Sequence, residues 1–152
     1  MKKFIPNDFE IPSGFLTDKM KARILTVNDV VKDYEAVMTS VEHLQGVFGS
    51  NSTWPSPNMS LEQDLIDLGW HQKEFQCRSS FAYTVMAPDE SVCLGCFYIY
   101  PYDKDGYDAI VYMWVRKSEF DKGLDPILEK EVREFMKKWP FQKVLFYGRT
   151  DG

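Results

Sequence analysis

From Val92 to Lys138 the chain runs through two apolar, aromatic-rich strands, a glycine turn and a helix-period stripe, an order that leaves few folds open. In Asp108 to Arg116, Ile110, Tyr112 and Trp114 share one face while Val111, Met113 and Val115 share the other, which predicts a central strand covered on both sides. Past Lys122-Gly123-Leu124, the residues Leu124, Ile127, Leu128, Val132, Phe135, Met136 and Trp139 recur at three- and four-residue steps. Glu129 with Arg133 and Glu134 with Lys138 stand one turn apart on the wet side. Trp139-Pro140 stops this helix, Lys143 to Tyr147 forms a last strand, and the unit predicts a parallel crossover. A helix that starts just past a core strand can offer bare backbone N–H groups to an anion.

The rest of the chain supplies the frame. After a proline-bearing lead-in (Pro6, Pro12), Met20 to Leu25 reads as a first strand. Thr26 and Asp29 make a capping-box start for a helix carrying Val30, Val31, Tyr34, Val37, Met38 and Val41, expected to end near Leu44. The prolines in Gly49 to Met59 forbid regular structure there. Ser60 and Gln63 form a second capping box, and Leu61, Leu65 and Leu68 mark a short helix ending around Gly69 to Gln72. Ser80 to Ala87 and Val92 to Tyr100 flank Pro88-Asp89-Glu90 and predict a hairpin. The outcome is one α/β domain of the α+β type over residues 1–152: a mixed, largely antiparallel sheet of about five strands with three flanking helices.

Charge and cysteine usage limit the function classes. A net charge of −5 repels phosphate backbones, so nucleic acid is not an expected partner. No apolar run has the length of a membrane span, and Pro6, Asn7 and Asp8 interrupt any signal-like start, which points to a cytoplasmic protein. The odd number of cysteines, Cys77, Cys93 and Cys96, argues against a disulfide framework. Cys93 and Cys96 lie three apart on a strand and should face opposite ways, as buried thiols with no second pair to complete a metal site.

The order strand, two helices, three antiparallel strands, helix, strand resembles the GNAT superfamily of acyl-CoA N-acyltransferases over roughly residues 15–148. Leu94-Gly95-Cys96-Phe97-Tyr98-Ile99 is similar to that family's third strand, Tyr112-Met113-Trp114-Val115 to its fourth, and Lys122-Gly123-Leu124 to the middle of its cofactor turn. The resemblance implies acetyl-CoA as cosubstrate, its pyrophosphate on the turn and the helix N-terminus. Val115, Arg116, Lys117, Lys122, Gly123 and Leu124 are the corresponding residues. With Gly123 at the pattern's fourth position, Phe120 takes the first, where Arg or Gln is usual, and Asp125 takes the sixth, where Gly or Ala is usual. Asp125-Pro126 also reads as an N-cap and first-turn pair.

Direct transfer to a primary amine, on a small molecule or a protein, needs a polarised thioester carbonyl, a deprotonated amine and a proton for the leaving thiolate. The resemblance implies a backbone N–H near Val115 for the carbonyl. Asp108 and Glu119 are the nearest acidic candidates for the base, and Tyr147 stands near the place of the family's acid. His71, more than His43, and Trp54 are candidates for the acceptor side, although histidines at helix ends also serve local carbonyls. The family's closing helix and strands have no counterpart before Gly152. A non-catalytic module of the same fold therefore stays open as the alternative, as does a homodimer formed through an uncovered sheet edge.

Overall fold

The computed structural model describes residues 3–150; Lys2 of the N-terminal basic pair and Gly152 lie outside them. Six strands form one sheet in sequence order: β1 (Gly14–Leu16), β2 (Lys21–Ile24), β3 (Phe81–Met86), β4 (Cys93–Pro101), β5 (Ala109–Val115) and β6 (Val144–Phe146). Neighbours are antiparallel except β5 and β6, which run parallel as the crossover requires. The strand count exceeds expectation by one because Gly14–Leu16 in the lead-in folds back on β2. Gly14 permits that approach: a Cβ there would lie 1.9 Å from the Ala22 carbonyl oxygen.

Side-chain alternation splits the core into two layers. Tyr83, Phe97, Val111 and Met113 face Leu128, Val132 and Phe135 of the crossover helix α5 (Leu124–Met136). Ala82, Tyr98 and Trp114 face Val37 and Leu68 on the opposite side of the sheet. The two-sided burial read from β5 is therefore realised by α5 below and by α1 (Val30–Met38) and α3 (Leu61–Gln76) above.

The helices differ from expectation in four places. The Thr26–Asp29 capping box forms, but it closes a 3-10 turn over Val27–Asp29 ahead of α1. The first helix breaks at Thr39-Ser40 before a short α2 (Val41–Leu44), because Ser40 turns its hydroxyl to accept from the Lys117 amide (2.9 Å). Ser60 caps α3 through the Gln63 amide, while the Gln63 side chain reaches forward to Asp67, and the helix runs on to Gln76. The residues before Gly123 form a short helix α4 (Lys117–Asp121) instead of an open turn.

Cys93 and Cys96 are free and buried, as expected, but they share one face. A bulge pairs Val85 with Gly95 and Met86 with Cys93, so one extra residue, Leu94, flips to the α5 side and restores the phase. Burial pushes the Cys93 thiol up to about 12 and the Cys96 thiol up as well, so both stay protonated. Among the described residues no cluster of metal-ligating side chains occurs, and no helix is long and apolar enough to cross a membrane.

Candidate active site

The site begins where β5 outruns its parallel neighbour. Register pairing of β5 with β6 ends at Val111 and Phe146, and the Tyr147 amide makes the last bond, to the Val111 carbonyl (3.0 Å). Gly148 then adopts φ +72 and turns the chain away, a left-handed conformation that suits glycine. Strand β5 continues to Val115 with that edge uncovered. Because N–H and C=O groups of alternate residues point to the same edge, Met113 and Val115 aim theirs into the gap. A cleft of about 360 Å³ opens there, with Met113, Val115, Phe120, Tyr147 and His43 among its walls.

Two side chains already use this edge. His43 Nε2 lies 3.2 Å from the Val115 carbonyl oxygen, which can only accept, so that nitrogen carries the proton. Arg149 Nη2 donates to the Met113 carbonyl at 3.4 Å. The same guanidinium forms a fork with Asp125 and reaches Glu129 at 3.1 Å, and so sits beside the first turn of α5. The N-cap of α5 is Gly123 at φ +88, with no side-chain cap. Asp125 is thus not the cap but a first-turn carboxylate neutralised by Arg149, close to where a phosphate would use the helix dipole.

A second pocket of about 260 Å³ lies on the α1/α3 side of the sheet. Trp54, Phe48 and Tyr98 make its aromatic wall, with ring centroids 5.1 Å from Phe48 to each of the other two. Asp33 of α1 and Asp64, Asp67 and His71 of α3 supply its ionisable groups. Burial lowers the pKa of His71 against the opposing pull of Asp67 and Glu74, so the imidazole is neutral near pH 7. One hydrogen bond joins their walls: Trp114, which lines the first cleft, donates its indole N–H to the hydroxyl of Tyr98, which lines the second (2.8 Å).

This architecture recurs in solved structures. The RimL ribosomal L7/L12 alpha-N-protein acetyltransferase, in complex with coenzyme A, matches with a TM-score of 0.63 over 81% of this chain and 64% of its own, at 16% identity. The ribosomal-protein-S5-alanine acetyltransferase of Vibrio fischeri matches at 0.65, with 14% identity over 82% of this chain and 67% of its own. The Microcin C7 self immunity acetyltransferase MccE, in complex with acetyl-CoA and AMP, matches at 0.62, with 11% identity over 86% and 68%. The chain has the GNAT fold. It spans less than two thirds of the RimL chain, and no family model and no curated protein matches it in sequence.

Within this GNAT fold the expected site residues separate clearly. Val115 and Tyr147 meet in the cleft, and Gly123 and Leu124 begin the helix beside it, although the Leu124 side chain is buried in the α5 core. Asp108 lies at the opposite end of β5, about 20 Å from Val115 at strand rise, where its carboxylate accepts from the Gln142 and Lys143 amides. It ties the closed end of the crossover and is no base for this cleft. Glu119 sits on α4 against Lys122 (3.3 Å), outside the cleft wall. Arg116 holds Glu35 and donates to the Cys93 carbonyl and Thr39 hydroxyl, which fixes α1 to the sheet. Lys117 is paired with Asp121.

Trp54 and His71 share the second pocket, but His71 lies inside α3 and not after it. Arg149, Asp33 and Asp64 were not foreseen. The two aspartates had a signal: Asp33 falls among Val30, Tyr34 and Val37, and Asp64 among Leu61, Leu65 and Leu68, each an acid in a run of apolar helix residues.

Proposed function

We propose that this chain binds acetyl-CoA along the open edge of β5 and transfers the acetyl group directly to a primary amine. The observation that carries the reading is the uncovered Met113–Val115 edge, aimed into a cleft beside the start of a long helix. An amide-bearing thioester arm has donors and acceptors that suit such an edge. Acetyl-CoA would supply the activated acyl group. The Val115 N–H is the donor that can stabilise developing charge on a carbonyl oxygen held in the cleft. Tyr147, on the same wall and 38% exposed as a residue, carries the hydroxyl that is the proton source for the departing sulfur. His71 and Trp54 belong to the acceptor side.

The phosphate end of the ligand fits less well. Asp125 and Glu129 oppose it by charge, and Arg149 must exchange carboxylate for phosphate. That occupied helix start favours the second reading, a non-catalytic binding module of the same fold. Titration calorimetry with acetyl-CoA separates the two. For the acyltransferase, wild-type protein gives heat, and Gly123→Glu, which adds a like charge at an open position of the turn, weakens binding at least tenfold. Gly123→Ala keeps the affinity at a stability cost of about 1 kcal/mol from its positive φ. Absence of heat at millimolar acetyl-CoA removes the cofactor from this chain.

Arg149 gives a further check on the same cleft. Asp125→Asn removes one negative charge from the helix start and frees one side of the guanidinium, so acetyl-CoA affinity is expected to rise about tenfold, the scale of one such charge-assisted contact. An unchanged affinity would place the phosphates elsewhere.

A further inference from the structure

The pocket between α1, α3 and the sheet contains a charge problem that the protein does not solve for itself. Asp33 and Asp64 are 4% and 2% exposed, yet no protein N–H or O–H outside the pair reaches either carboxyl among the described residues. Asp64 Oδ2 is fully buried and unpartnered. A buried carboxyl left without donors is costly, and the usual remedy is a partner of opposite charge. Burial raises both carboxyls, and the two face each other, so the pair holds one proton between them and carries a single negative charge. That charge lines a cavity walled by Phe48, Trp54 and Tyr98, whose ring faces favour a cation.

We infer that this pocket binds an aliphatic primary ammonium group, with Asp33 and Asp64 accepting its N–H bonds and Trp54 and Phe48 covering its methylenes. The missing donors select the chemistry. A quaternary ammonium has no N–H to give, and the two carboxyls fall short of a metal-ligand set. At about 260 Å³ the cavity lies just below the ~300–1,000 Å³ range of pockets for drug-sized ligands and suits a short chain.

The site also bears on which nitrogen reacts. An amine held against a buried carboxylate stays protonated, and a protonated amine cannot attack a carbonyl. The pocket therefore anchors a nitrogen other than the one acylated, so the acceptor is a diamine or a longer amine; this step alone rests on the acyl-transfer reading.

The test is titration calorimetry of the whole chain with diaminobutane, butanol and tetramethylammonium, without acetyl-CoA, on wild type and Asp64→Asn. Diaminobutane is expected to bind wild type, the other two are not, and Asp64→Asn is expected to lose at least tenfold in affinity while its melting temperature holds or rises. Equal affinity in wild type and variant, no heat with diaminobutane, or equal binding of tetramethylammonium overturns the site. Diaminobutane binding in a protein that gives no heat with acetyl-CoA supports the pocket and removes only its link to acyl transfer.

Discussion

Replacing Gly95 by alanine is expected to cost about 3 kcal/mol or more, at the severe end of single substitutions. An added Cβ would stand 2.2 Å from the Trp114 carbonyl oxygen and 3.1 Å from the Val115 Cα. Both are backbone atoms of the neighbouring central strand, so no side-chain rotation relieves the clash. Either β4 and β5 separate locally, or the bulge beside Val85 shifts and takes Cys93 and Leu94 with it. Trp114 and Val115 also form the wall of the cleft, so the damage reaches the site. Thermal melts check this: at ~2–4 °C per kcal/mol for a chain of this size, the midpoint falls by roughly 10 °C. A midpoint within a degree or two of wild type would mean that the sheet is looser here than its register implies.

Asp33→Asn is expected to act in the opposite direction, and only above acid pH. The folded-state pKa of Asp33 is raised by burial first and then by its bond to Asp64, so the folded chain holds a proton that the unfolded chain releases. Wild-type stability from this group is full below the unfolded carboxylate value of about 3.9 and is lost as pH rises through the folded value. Asparagine keeps a donor for Asp64 and cannot ionise. The variant should match wild type near pH 4 and exceed it at pH 8 by ~1–3 kcal/mol, the scale of an unsatisfied buried polar group. Melts at pH 4, 6 and 8 read the difference directly. If the variant is less stable than wild type at pH 8, the pair is not the electrostatic burden described here. Glu90, brought to about 2 by Arg23 and then Lys21, works the other way and withdraws stability on the acid side in both proteins alike.

These two positions were legible to different degrees. Gly95 stood in a strand pattern that matched the family, but its reason is the 2.2 Å approach to Trp114, which no local rule contains. Asp33 and Asp64 stood visibly among apolar helix residues, yet only packing α1 against α3 brings the two carboxyls together. The Thr26 box and the Ser60 cap were read correctly because each depends on residues a few positions apart, while α5 ends at Met136, ahead of the expected stop at Trp139-Pro140. The length of α3, the break at Ser40 and the helix α4 were missed because Arg78, Lys117 and Ser40 answer to partners distant in sequence.

Periodicity by itself determined the strand–helix–strand unit and the two-faced burial of β5, since alternation and the helical repeat follow from backbone geometry alone. The tertiary structure decided everything that requires two distant segments to meet: the gap opened where Gly148 leaves β5, the Arg149 fork on Asp125, and the carboxyl pair under the rings. Site chemistry belongs to that second group because charge, burial and donor supply are properties of a place in space, and a stretch of chain acquires them only from its neighbours.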